Sequence, residues 1–268
     1  MSPVRPVVAF LTDYGPGSEH VGALHAVIAA RCPEADRVDL AHDIPPGDVR
    51  MGALVLARTA PLLPAAVHVA VVDPGVGTSR PAAAVSLGGG GFLVGPDNGL
   101  LGPAALALGA RAAVALEPSP GTPATFHGRD VLAPAAARLA GGARLADLGP
   151  PVDHAALRNP ELPRAGVAPG RLAAAAVGSD RFGNVQLLAG AADLGAAALQ
   201  IGDRVEVDAG RGRHPATVAR AFADVPHGAL LVYLDSHGMV AVAANGGDAA
   251  ARIGAAPGAE VVVSRSPE

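Results

Sequence analysis

The chain alternates between short, almost wholly apolar runs and longer stretches in which apolar residues return every three or four positions. The first run, Val4 to Leu11, is β-rich and breaks at Thr12-Asp13-Tyr14-Gly15, after which Val21 to Arg31 carries a helical period. The same order repeats with Arg37 to Leu40 as a strand, Asp48 to Ala60 as a helix and Val67 to Val72 as a strand. Val67 to Val72 is apolar at nearly every position, the pattern of a strand covered on both faces. Strands at Ala82 to Leu87, Phe92 to Gly95 and Arg111 to Leu116 flank a helix from Leu100 to Leu108, and Arg129 to Ala140 reads as a closing helix. The alternation predicts an α/β fold, here a mainly parallel sheet with helices on both sides in a sandwich.

From Gly149 to Gly170 the period is lost, and Pro150, Pro151, Pro160, Pro163 and Pro169 mark a crossing segment. Beyond it, β-like runs at Leu172 to Val177, Arg204 to Val207, Thr217 to Phe222, Ala229 to Leu234 and Met239 to Ala243 are separated by Gly, Asp, Asn and His turns. Short strands at that spacing predict a small β-barrel or sandwich. The expected organisation is therefore an N-terminal α/β domain over residues 1–155, a linker over 156–169 and a C-terminal β domain over 170–268.

Composition narrows the chemistry. Half of the 268 residues are hydrophobic, enough for a sizeable core, and the 35 Gly and 25 Pro punctuate apolar runs without forming repeats. Lysine is absent, which excludes Schiff-base chemistry and a phosphate-binding Walker lysine. A net charge of -4 with no basic block argues against a nucleic-acid partner. The lone Cys32 cannot form an internal disulfide and reads as an apolar filler at a helix end. No apolar stretch reaches the ~20 residues of a membrane helix, and the first run is too short for a signal peptide, so a cytoplasmic protein is expected, with no membrane association.

Polar clusters close the apolar runs, where loops on a rigid sheet carry function. In the first domain they are Thr12 to Gly15, Asp73 to Arg80, Gly95 to Gly99 and Thr125 to Asp130; in the second, Asp180 to Asn184 and Asp235 to Gly238. In open parallel sheets ligands lie beyond the carboxyl ends of strands, which puts Asp13 and Asp73 at one crevice. Each cluster also has a plain structural reading: Asp13 as a helix cap, Pro96-Asp97-Asn98-Gly99 as a turn, Asp73 with Arg80 as an ion pair, His127 as a structural imidazole.

Taken in order, FLTDYG (Phe10 to Gly15), VVDPGVGTSR (Val71 to Arg80), PDNGLL (Pro96 to Leu101), TFHGRD (Thr125 to Asp130), FGN (Phe182 to Asn184) and, more loosely, SHG (Ser236 to Gly238) are spread over nearly the whole chain. This set resembles the S-adenosyl-L-methionine (SAM) hydroxide adenosyltransferases, SAM-hydrolase relatives of the fluorinase and chlorinase enzymes. The resemblance implies an N-terminal α/β domain joined to a C-terminal β-barrel, a homotrimer with active sites between subunits, and hydrolysis of SAM to adenosine and methionine. It assigns Asp73, Arg80 and His127 to the catalytic triad and Asp13 to the ribose hydroxyls. It further assigns Asp180 to the methionine ammonium, Ser236 and His237 to its carboxylate, and Asn184 and Asn245 to adenine, with Phe182 able to stack there. Ser18 and His20 replace an Asp and a Tyr common in the family, Gly47 replaces a larger residue of the halogenating relatives, and His237 replaces an arginine of the fluorinase.

The implied chemistry needs no metal and no cofactor. The sulfonium is already a leaving group, so the site must supply a water held in line with the C5'–S bond in a dry pocket. Arg80 favours the hydroxide-like form, while either His127 or Asp73 takes the proton. Two rivals share the pocket, a halide-using adenosyltransferase and a non-catalytic SAM sensor. His127-Gly128 stand where the fluorinase has a tyrosine and a serine, which argues against the first. A calcium-dependent nucleoside hydrolase needs a dense run of early aspartates, and here only Asp13 and Glu19 are at hand.

Overall fold

A computed structural model of the protein describes residues 5–267, which divide into two compact units, one up to Glu161 and one from Leu162 onward. In the first unit the strands are β1 (Val7–Thr12), β2 (Asp36–Ala41), β3 (Val67–Val71), β4 (Ala82–Leu87), β5 (Phe92–Pro96), β6 (Ala110–Leu116) and β7 (Pro151–Val152), in the sheet order β2-β1-β3-β5-β4-β6-β7. Pairing is parallel from β2 through β5 and antiparallel from β5 through β7. The helices are α1 (Glu19–Arg31), α2 (Val49–Thr59), α3 (Gly102–Ala107) and α4 (Ala133–Ala140).

Side chains alternate across the sheet, which explains the near-continuous apolar runs. Val8 and Phe10 of β1, with Val67, Val69 and Val71 of β3, pack with Leu24 and Ile28 of α1 and Ala136 and Leu139 of α4. Leu11, Ala70 and Val72 face the other way, onto Leu56 of α2 and Ala104 of α3. Three layers result, with the sheet buried between two helix pairs. Asp48 caps α2 rather than starting it, its carboxylate accepting the Met51 N–H at 2.9 Å. Ser18 does the same for α1, so Asp13 is free of the capping role. Arg129 to Ala140 is not one helix: a π turn spans Gly128–Leu132 and passes into α4, which has Pro134 in its first turn.

The segment expected to be irregular, 149–170, holds β7, a 3-10 turn (His154–Ala156) and β8 (Gly166–Ala168). Strands of two and three residues are too short to show a period. The second unit continues with β9 (Arg171–Ser179), β10 (Val185–Gly190), β11 (Arg204–Asp208), β12 (Arg213–Val218), β13 (Leu230–Leu234), β14 (Met239–Ala244) and β15 (Glu260–Arg265). Short helices α5 (Ala191–Ala196) and α6 (Ala249–Ile253) accompany them. The strand order β10-β14-β13-β12-β11-β15-β9 is closed by a β9–β10 pairing, which makes a seven-stranded barrel with no open edge along that ring. Alternate residues fill it, among them Leu172 and Ala174, Val205 and Val207, Val240 and Val242, Val261 and Val263. Among the described residues no helix is long and apolar enough to cross a membrane.

Candidate active site

In the first unit β1 is flanked by β2 on one side and β3 on the other, so the chain reverses its direction of travel across the sheet at the β1–β3 pair. That switch point opens a crevice beyond the carboxyl ends of the strands. Register fixes what lies there: Thr12 is paired with Val71, and the Asp13 N–H donates to the Val71 carbonyl at 3.3 Å, so Asp13 and Asp73 follow side by side. Val69 is paired with Val94, which brings the turn after β5 to the same rim. There Asn98 donates its side-chain N–H to the Val72 carbonyl at 2.9 Å and accepts the Leu100 N–H at 3.1 Å. The Pro96 to Gly99 turn thus braces the strand end that presents Asp73.

The Asp73 to Arg80 loop folds back on itself. Thr78 donates its hydroxyl to the Gly75 carbonyl at 2.7 Å, and Gly77 takes φ +79° against the Ala124 carbonyl, where a Cβ would sit only 2.8 Å from that oxygen. The turn brings the Arg80 guanidinium onto Asp73 Oδ2 at 2.5 Å, with the two side chains 7% and 5% exposed. Asp73 Oδ1 and Arg80 Nε are buried and have no hydrogen-bond partner. Burial pushes the Asp73 carboxyl above its ordinary 3.8; the Arg80 charge, the Gly75 N–H and the charge of His127 pull the other way without cancelling it.

His127 is 8% exposed and precedes the π turn, a distortion that turns a side chain out of the helical path. Its charge acts on Asp73 and on Asp130, so the three residues of the expected triad do gather. Asp130 itself is held by both nitrogens of a fork from Arg129, at 2.7 and 2.8 Å. Asp13 is half-buried, and its Oδ2 accepts the Gly47 N–H at 2.8 Å, with Gly47 at φ +72°.

Two further residues border Asp13 and Asp73 for which the sequence suggested no contact. Gly47 holds the Asp13 carboxylate through its backbone, and such contacts leave no mark on residue type. Tyr14 reaches across to Gly128: a Cβ on that glycine would lie 2.5 Å from the Tyr14 hydroxyl. Burial, then the Asp13 and Asp73 carboxylates, raise the Tyr14 pKa far above the ordinary phenol, so it remains an O–H donor. Its ring meets Phe126 edge-on at 5.9 Å and His20 at 5.4 Å, forming an aromatic wall beside the carboxylates.

In the second unit the remaining expected residues sit on loops that flank β10 and β14, with Ser236 and His237 before β14 and Asn184 and Asn245 toward its other end. Asp180 Oδ1 accepts the Phe182 and Asn184 N–H groups at 2.9 and 3.0 Å, and Oδ2 accepts the Asn184 side chain at 2.8 Å. Asp235 Oδ1 accepts the His237 and Met239 N–H groups at 2.8 and 2.9 Å, while Gln186 donates to its Oδ2. Gln186 therefore ties the Asp180 loop, between β9 and β10, to the loop carrying Ser236 and His237, and Tyr233 lies within the field of both aspartates. Ser236 and His237 are exposed, and Phe182 is 70% exposed, a large apolar ring in water. Asn245 differs: its amide donates to the Val225 carbonyl at 2.8 Å, so part of it is spent on the loop before β13.

Comparison with known proteins bears on this arrangement. The SAM hydroxide adenosyltransferase N-terminal domain matches residues 8–149, and the corresponding C-terminal domain matches residues 175–262. The chain is 49% identical over 266 residues to the (R)-S-adenosyl-L-methionine hydrolase of Salinispora arenicola, covering 97% of this chain and 98% of that one. It is 25% identical to a fluorinase of Actinopolyspora mzabensis over 98% of both chains. A crystal structure of an uncharacterized conserved protein from Thermotoga maritima superposes with a TM-score of 0.89 at 34% identity, covering 96% of this chain and all of that one.

Proposed function

Because the chain belongs to the SAM hydroxide adenosyltransferase family, we infer that it hydrolyses SAM to adenosine and L-methionine. The higher identity to the hydrolase than to the fluorinase favours water over halide as the nucleophile.

The single observation that carries the mechanism is the buried Oδ1 of Asp73, which accepts no hydrogen bond of good geometry although the Gly75 N–H is near the carboxyl, beside an Arg80 that occupies Oδ2. A dry carboxylate oxygen with a raised pKa is a better base than one in water. Water placed on Oδ1 attacks C5' of SAM, the C5'–S bond breaks with its electron pair going to sulfur, and methionine leaves as a neutral thioether. The proton released by the water passes to Asp73. Arg80 fixes the carboxylate and favours the hydroxide-like form of the water, and His127 orients it from the other side. The Asp13 carboxylate takes the ribose hydroxyls, with Tyr14 beside it as an O–H donor.

From the second unit, Asp180 receives the methionine ammonium, Ser236 and His237 its carboxylate, and Asn184, Asn245 and Phe182 the adenine. The exposure of Phe182 and the loop clustering around Asp235 support that part of the reading. The family resemblance supports a homotrimer as the working assembly, and an intracellular substrate supports a cytoplasmic location. No metal or cofactor takes part in the bond-breaking step, so SAM is still hydrolysed after chelator treatment.

Asp73→Asn keeps the shape of the side chain and removes the base. We expect kcat to fall by about 10²–10⁴, the usual worth of a general base, with the melting temperature kept. Hydrolysis at the unaltered rate in folded Asp73→Asn would remove Asp73 from this role.

A further inference from the structure

At the β2 edge of the first sheet, beside the turn after β1, three side chains converge that the hydrolytic scheme does not use. His25 projects from α1, Asp39 from β2, and His42 follows three residues later. His25 Nε2 lies 2.8 Å and His42 Nε2 lies 3.0 Å from the same oxygen, Asp39 Oδ1, and all three donor atoms fall within 4.8 Å of one another. His42 has a side chain only 9% exposed, yet its Nε2 makes no hydrogen bond of acceptable geometry with anything. A buried ring nitrogen aimed at a carboxylate and a second imidazole, without a hydrogen bond, is an arrangement that a cation completes.

The surroundings fit a metal ligand set. His42 Nδ1 lies 2.9 Å from the Thr12 hydroxyl, the outer contact that fixes an imidazole's tautomer and leaves the opposite nitrogen to bind. The Phe10 ring lies against His25 at 4.7 Å and limits its rotation. Donors on a tetrahedral ion with bonds of about 2.0–2.1 Å stand about 3.4 Å apart, so Asp39, 48% exposed, withdraws by about half an ångström while the two imidazole nitrogens, within 4.8 Å of each other, settle to the same spacing.

We propose that His25, Asp39 and His42 form a site for a divalent ion of the zinc class, with solvent as the fourth ligand. Two imidazoles and one carboxylate suit Zn²⁺, Co²⁺ or Ni²⁺ and are too rich in nitrogen for Ca²⁺ or Mg²⁺. The ion contributes no step of hydrolysis. Its effect is on the turn after β1, which is tied to His42 through Thr12 and through the Gly15 N–H donated to the His42 carbonyl at 2.8 Å.

The test is titration of the purified full chain with Zn²⁺ against a chromogenic chelator, and with Co²⁺ followed by visible absorption. One Zn²⁺ per chain, an intense tetrahedral Co²⁺ spectrum and a melting temperature that rises by several degrees with excess Zn²⁺ are expected. All three signals vanish in His25→Gln and in Asp39→Asn, both partly exposed positions where the fold survives, as the metal-free melting temperature reports. Absence of stoichiometric uptake overturns the proposal. So does uptake that persists in both variants, which would place the ion on other histidines or on Cys32.

Discussion

Asp73 illustrates how one residue's environment sets its task. In the proposed reaction a carboxylate in water would be too weak a base; burial raises the pKa of this one, and the Arg80 charge pulls it back toward the ionised form. The sign of the pH dependence follows. The ionised form is the base, so activity falls as pH drops through the raised folded value, and the acid limb of kcat/KM lies above the ordinary carboxylate value of 3.8. A rate profile measured on the folded enzyme locates that limb; a profile flat down to 3.8 contradicts the assignment. The carboxylate, guanidinium and imidazole were singled out by the resemblance that VVDPGVGTSR and TFHGRD carry, each motif alone admitting a plain structural reading. The proposed division of labour between Asp73 and His127 had no sequence signal, since it is argued from the buried Oδ1 of Asp73. Gly47 and Tyr14 were missed as participants for the same reason: a backbone N–H and a hydroxyl's reach are set by folding.

At the scale of elements, the strand and helix order of the first unit followed from apolar patterning because both sheet faces are buried. Ala82–Leu87 has the bounds expected, whereas β12 begins four residues before the expected start and ends at Val218 instead of Phe222. In that region His214 and Pro215 interrupt the apolar pattern, and the stretch after Val218 leaves the barrel into a 3-10 turn at Phe222–Asp224. β10 and β15, which close and complete the barrel, were not read in advance although both alternate; their apolar halves are short and set between turns. Parallel pairing of the first four strands in the sheet is what builds the crevice, and β3 among them carries a buried polar residue. His68 is fully buried; its Nε2 donates to the Leu63 carbonyl at 3.0 Å, leaving Nδ1 buried without a partner. Burial lowers its pKa below 6.5, only partly offset by that hydrogen bond. The unfolded chain therefore takes up a proton that the folded chain refuses. Its contribution to stability is whole above 6.5 and is lost as pH falls from there toward the folded value. His68→Gln keeps a donor for Leu63 and removes the titration, so the fall in melting temperature below pH 6.5 should be shallower than in the parent; equal slopes would contradict this.

For the whole molecule, the two units divide the expected ligand contacts. In the proposed reaction the first supplies the reacting groups on loops braced by a three-layer sandwich, and the second supplies loops on a closed barrel in which Oδ1 of Asp180 and of Asp235 each accepts two backbone N–H groups that hold the carboxylate in place. Rigid platforms of this kind hold side chains to the tolerance that in-line displacement demands. The two-domain plan was readable from the change in pattern past Gly149, while closure of the barrel depends on long-range pairing that no local stretch encodes. The central claim is that this chain directs water to C5' of SAM. It is tested most directly by incubating the purified protein with SAM in ¹⁸O-labelled water and analysing the nucleoside and amino acid by mass spectrometry. The account predicts adenosine and methionine in equal amounts, with ¹⁸O in the 5'-hydroxyl. Adenosine lacking the label, or intact SAM after prolonged incubation with folded protein, would contradict it.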